Sequence, residues 1–355
     1  MLLLCRRLPM RKISRLLFPL GALFLGHLRL PGVEPAPANP QTNLRTRAVL
    51  SYIAGLEHRT EKRMLSGQFT DFGDNGTLAI LERIHRQSGH WPALAGFDYV
   101  NFTSGGLASK IANQSAIAWW RSGGLVTVGV HLYNPANPQK RGQNDKGVDL
   151  AGLLRPGTAL HAAWMQELDT LAAGLQELKE AGVVVLWRPF HEMNGGWFWW
   201  GGKPPADFVK VWRHMFDYFT VTKHLDNLIW VYSPNQMDNA ADYYPGNDCV
   251  DIVAFDVYAD QVDPAHGRGY AALTRLPKPF AFGEYGPREG REPSGHYDYR
   301  RFLAGAKQYF PRAASFMSWN AKWSLETNQH VRELLEDPWI VNRKDLPPGL
   351  AGDVR

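Results

Sequence analysis

The chain is predicted to fold as a single α/β domain, a (β/α)8 TIM barrel, on three observations. Eight short apolar runs alternate with longer segments of helical period. The alternation occupies about 250 residues, the usual extent of such a barrel. Polar and aromatic residues collect just after the runs, at the end of the barrel where enzymes of this fold build their sites. A doubly wound open sheet is the rival, but no Gly-rich phosphate loop follows an early strand.

Taken in order, residues 1–38 read as a signal peptide or N-terminal anchor with a Pro/Ala-rich linker. Arg11-Lys12 and Arg15 supply the positive start, 16–26 an apolar core, and Ala36-Pro37-Ala38 a small-residue site. The core is shorter than the about 20 residues of a spanning helix, so export is expected, with an uncleaved anchor as the alternative. Residues 39–355 form the expected catalytic domain. A helix is expected over 45–61, from the spacing of Val49, Ile53 and Leu56. Strands are expected at 64–69, 93–99, 125–132, 183–190, 227–233, 251–258, 279–285 and 313–319. Helices are expected between them at 77–87, 108–122, 158–181, 205–223, 270–276, 297–309 and 328–336, with only a turn-rich piece after the fifth strand.

Composition narrows the function. The formal charge is +5, but six of the 39 basic residues and one of the 34 acidic ones lie in 1–38, so the remainder is balanced and a nucleic-acid partner is not expected. The two cysteines, Cys5 and Cys249, leave the domain with no disulfide framework and no cysteine metal site. His191-Glu192 suggests a zinc hydrolase, yet position 195 is Gly, so HExxH fails and neither metal nor cofactor is expected. Thirteen tryptophans, several in Gly-rich segments, favour a sugar ligand, because indole faces stack on sugar rings.

Two carboxylates stand out, Glu192 after the fourth strand and Glu284 at the end of the seventh, both aimed at one mouth. Glycoside hydrolysis uses such a pair, one carboxyl protonating the leaving oxygen and one opposite it. A non-catalytic carbohydrate-binding barrel would use the same tryptophans but has no reason to keep both glutamates.

The segment Trp187-Arg188-Pro189-Phe190-His191-Glu192-Met193-Asn194-Gly195-Gly196-Trp197 resembles the acid/base motif of glycoside hydrolase family 26, best known for endo-β-1,4-mannanases. Phe282-Gly283-Glu284-Tyr285-Gly286 resembles its nucleophile strand, and Asp251 to Tyr258 its sixth strand. The resemblance implies a barrel, a retaining double displacement, Glu192 as general acid/base and Glu284 as nucleophile. Glu192 would then need a raised pKa, from desolvation and from the charge of Glu284. By the same resemblance Tyr258 hydrogen-bonds the nucleophile, His191 orients the acid/base and touches the sugar, and His131 belongs to a subsite. Trp197 and Trp319 face the sugar, Trp319 as platform under the cleaved ring, and Asp256 reaches a hydroxyl or holds the loop. Phe198, Trp199 and Trp200 stay unassigned between core and cleft. One departure is Asn320, where several mannanases of the family carry an arginine serving the subsite beyond the cleaved ring. The expected partner is an oligo- or polysaccharide: β-1,4-mannan first, with mixed-linkage β-glucan, β-1,3-xylan and a bacterial exopolysaccharide as alternatives. No protein partner is implied, and a monomer is expected.

Overall fold

The computed structural model describes residues 36–101, 106–137, 144–288 and 295–352, so the expected leader, apart from its last three residues, lies outside the described residues. Eight parallel strands form the ring: β1 Gly67–Phe72, β2 Leu94–Asp98, β3 Leu125–Gly129, β4 Val185–Arg188, β5 Leu228–Tyr232, β6 Ile252–Tyr258, β7 Phe280–Gly286 and β8 Ala313–Ser318. Each pairs with its successor, and Ser318 of β8 pairs with Gln68 of β1, which closes the barrel. Strands buried on both faces need apolar residues at nearly every position, and β3 and β5 are buried throughout.

The helices are α1 Leu44–Leu56, α2 Ala79–Ser88, α3 Lys110–Arg121, α4 Leu150–Leu153, α5 Ala159–Glu180, α6 Pro205–Asp217, α7 Tyr270–Leu273, α8 Tyr299–Tyr309 and α9 Val331–Glu336. Asn43 starts α1 and Thr158 starts α5, each side chain accepting from a backbone N–H in the first turn. α1 contacts both β5 and β8, strands three apart in the ring, so it crosses the N-terminal opening and buries Val49, Leu50, Ile53 and Leu56 there. After β5 the chain makes only turns before β6, as expected.

The differences from expectation have local causes. The 205–223 helix ends at Asp217 and passes into a π-helical turn over Tyr218–Thr222. The 270–276 helix shrinks to one turn, because Pro277 and Pro279 disfavour helical backbone just before them. The fourth strand leaves the ladder at Arg188, and Phe190 and Glu192 then take positive φ of 51° and 55°. The linker was expected to end outside the fold, but its last residue, Ala38, is buried, and the Ala38 N–H donates to Asp251 Oδ1 at 2.7 Å.

One irregularity positions the site. Phe282 is opposite Phe255 and Glu284 is opposite Asp256, so β7 spends two residues where β6 spends one, a β-bulge at Gly283. Phe282 and Tyr285 both point outward, against Phe302 of α8. Gly283 and Glu284 therefore both face inward, which strict alternation forbids. A Cβ at Gly283 would stand 2.1 Å from Ser233 Oγ and 2.6 Å from Asp256 Oδ1. Gly283→Ala should accordingly cost about 1–3 kcal/mol by overpacking, read as a lowered denaturant midpoint at unchanged slope; an unaltered midpoint would refute the close approach.

Candidate active site

The C-terminal mouth of the barrel is built around Arg188, the last residue of β4, which is 2% exposed. Its Nη1 donates to Asp256 Oδ2 at 3.0 Å and its Nη2 to Glu284 Oε1. Beneath it lies the ring of Phe69 from β1, 5.4 Å from the guanidinium carbon. Burial opposes the charge on Arg188, but Asp256 and Glu284 outweigh burial and hold its pKa above the ordinary arginine value. Ser233 donates to the other oxygen of Asp256 at 2.6 Å, and Tyr258 to Glu284 Oε2 at 2.6 Å. Both oxygens of Glu284 are thus engaged as acceptors.

Glu192 arrives by a different route. Past Arg188 the chain turns through two left-handed residues, a conformation non-glycine side chains seldom adopt and one that concentrates at functional sites. The Glu192 N–H is tied to the Ser233 carbonyl at 2.7 Å. Its carboxyl accepts from Trp197 Nε1 at 2.6 Å and Asn235 Nδ2 at 2.8 Å. Asn235 is itself held by Asn194, whose side chain bonds both the N–H and the carbonyl of Asn235, at 2.7 and 3.0 Å. Burial, then the nearby charge of Glu284, pushes the Glu192 carboxyl up to about 7; the bonds from Asn235 and Trp197 and the charge of Arg188 oppose the rise. One carboxyl oxygen from each of Glu192, Asp256 and Glu284 lies within 4.8 Å of the others. Such a trio could hold a metal ion, but Arg188 already supplies a positive charge to two of its members.

The histidines form a second layer. Asp98, at the end of β2, accepts from His131 Nδ1 at 2.8 Å, and His131 Nε2 meets His191 Nε2 at 3.1 Å. Burial, with Arg188 and His131 adding to it, drives the His191 pKa well below the ordinary value, so His191 is neutral. Trp319 packs edge-on to Phe69 at 4.7 Å and lies 6.0 Å from His131. In the aromatic run Trp197 is 38% exposed, whereas Phe198, Trp199 and Trp200 are buried. The indoles of Trp199 and Trp200 donate to the Leu132 and His191 carbonyls at 3.0 and 2.9 Å. Those three belong to the core and brace the loops that carry His131 and His191.

The family model described as glycosyl hydrolase family 26 matches residues 38–345. The chain belongs to that family. It is 39% identical to mannan endo-1,4-beta-mannosidase A and B of Caldalkalibacillus mannanilyticus, covering 88% of this chain and 64% of that protein. It is 36% identical to a mannan endo-1,4-beta-mannosidase of Bacillus subtilis, over 88% of this chain and 89% of that one. Among solved structures, a Bacillus subtilis mannanase superposes with a TM-score of 0.79 at 35% identity, covering 88% of this chain and 96% of that one.

In this glycoside hydrolase the mouth brings together Glu192, Glu284, Asp256, Tyr258, His191 and His131, with Trp197 and Trp319 at its edge. Sequence reasoning singled out no role for Arg188, Asn235, Ser233, Asn194 or Asp98. Arg188 had a signal, an arginine closing an apolar run, since a charge there needs a buried partner. Arg188→Leu leaves Asp256 and Glu284 facing one another without a cation, and should destabilise the fold by about 3–5 kcal/mol in urea titration. Trp197→Phe removes a donor to Glu192, so the Glu192 pKa should rise above about 7; a carboxyl NMR titration that finds it fallen would contradict the assignment.

Proposed function

We propose that the protein is a retaining endo-β-1,4-mannanase in which Glu192 is the general acid/base and Glu284 the nucleophile. The observation that carries this reading is the separation of the carboxyl pair. Their nearest oxygens lie within 4.8 Å, close to the about 5–5.5 Å of retaining enzymes and short of the about 6.5–9.5 Å that inverting enzymes need for a water. The mannan substrate rests on the relatives' names, mannan endo-1,4-beta-mannosidases.

In the first step Glu192 gives its proton to the glycosidic oxygen while Glu284 attacks C1, so the C1–O bond breaks and an ester to Glu284 forms. The leaving chain departs with the proton. Ester formation removes the negative charge that helped raise the Glu192 pKa, so Glu192 becomes a base. It takes a proton from water, the water oxygen attacks C1, and Glu284 leaves as carboxylate. Two inversions leave the anomeric configuration unchanged. Tyr258 and Arg188 position Glu284, and a neutral His191 adds no positive charge beside Glu192 to lower its pKa.

Glu284→Ala should abolish hydrolysis of β-mannan while retaining binding of manno-oligosaccharides. Hydrolysis by that variant at the wild-type rate would end the proposal, and α-anomeric first products in NMR would end the retaining mechanism. A panel of β-mannan, galactomannan, lichenan and β-1,3-xylan tests the sugar. Glu192 must be protonated in the first step, so kcat/KM falls as pH rises through about 7. The bond from Asn235 favours the charged form, so Asn235→Ala should move that alkaline limb to higher pH.

A further inference from the structure

Asp98, the last residue of β2, has no part in the double displacement, yet it holds one end of the histidine layer. From its contacts we infer that Asp98 is a positioning residue. Through His131 it fixes which nitrogen of His191 carries the proton, and so keeps the residue before Glu192 neutral and in one orientation. This rests on Glu192 as the acid/base.

Oδ1 of Asp98 accepts from the backbone N–H groups of Val100 at 2.9 Å and His131 at 3.2 Å. Its Oδ2 lies 2.8 Å from His131 Nδ1. A carboxylate has no proton to give, so Nδ1 of His131 is the donor. A neutral imidazole protonated there has a bare Nε2. His191 Nε2 stands 3.1 Å from that bare nitrogen and therefore carries the proton between the rings. His191 Nδ1 is left bare. The far end of the relay requires the same order. His191 is 1% exposed, and its Nδ1 is enclosed with no hydrogen-bond partner among the described residues. An orphaned acceptor is tolerated in a protein interior more readily than an orphaned N–H.

A second proton has no place on the pair. On His131 Nε2 it would push the proton of His191 over to the enclosed Nδ1. On His191 it would make the same orphaned donor and a buried cation as well, which burial and Arg188 both oppose. The ring is also gripped by packing, with Phe198 and Trp200 edge-on at 5.0 and 5.8 Å. Tied to His131 by its proton, it steadies the Glu192 backbone from the β3 side, while the Ser233 carbonyl ties the Glu192 N–H from the β5 side.

Asp98→Asn tests this on the full chain. The two backbone donors keep the amide oxygen at the Oδ1 place, so the new NH2 group faces His131 Nδ1. Every proton of the relay then reverses, to Nε2 of His131 and to the enclosed Nδ1 of His191. Imidazole 15N NMR, with resonances assigned by replacing each histidine in turn, should show His131 Nδ1 and His191 Nε2 protonated in the wild type and the opposite pair in Asp98→Asn. In the variant kcat should fall about tenfold, the size of one orphaned buried donor, with KM unchanged. A wild-type spectrum with His131 doubly protonated, or with His191 protonated at Nδ1, overturns the inference and needs no variant to fold. An unreversed pattern in Asp98→Asn overturns it too, as does a reversed pattern with wild-type kcat. A loss carried by KM would mark Asp98 as a sugar contact and overturn it as well. Glu192→Ala is run alongside: retained hydrolysis there overturns the acid/base assignment, whereas the nitrogen pattern is read without reference to activity.

Discussion

The mouth depends on one guanidinium shared by two carboxylates. Arg188 on β4 meets Asp256 on β6 and Glu284 on β7, so three strands that are not all neighbours converge on one cation. Two buried carboxylates so close would repel strongly at low dielectric, and the shared arginine makes their approach tolerable. Its second effect falls on Glu192. With one cation among three carboxyls, Glu192 is the one left without an ionic partner, and burial beside a charged neighbour favours its proton. A single charge placed at the end of β4 thus pairs with two of the three acidic residues and leaves the third, Glu192, to keep its proton.

The surrounding aromatic layer keeps that division in register. Phe69 lies under the guanidinium and Trp319 against Phe69, so Trp319 and the charge cluster share a floor. Trp199 and Trp200 spend their indole N–H groups on the backbone of the two histidine-bearing loops. Trp197, the exposed aromatic of the run, spends its own on Glu192. Its ring lies so close over Gly195 that a Cβ there would come within 2.2 Å of it, which explains the glycine at that point.

Much of this was legible in the sequence. The strands announced themselves as apolar runs because both of their faces are buried, and Glu192 and Glu284 as a pair because each follows such a run among glycines and aromatics. What stayed hidden depends on pairings distant in the chain. Arg188 reads as an oddity until Asp256 and Glu284 are beside it, and Asn235 is one polar residue among several that follow strands until Asn194 fixes its backbone. The four aromatics from Trp197 to Trp200 have nearly the same composition-level meaning. Their different fates follow from a turn whose positive-φ residues, Phe190 and Glu192, no periodicity rule foresees.

The bulge at Gly283 has a consequence for how such a site is inherited. Insertions and deletions are ordinarily tolerated in loops and purged from strands, because a one-residue slip exchanges the two faces of everything beyond it. In β7 the slip is the working state. Were Gly283 paired opposite Asp256 in a regular ladder, strict alternation would present Tyr285 to the mouth and turn Glu284 toward α8, leaving the barrel closed and its core composition intact. An inert barrel and this one can therefore share one sequence and differ by a single step of register within a strand.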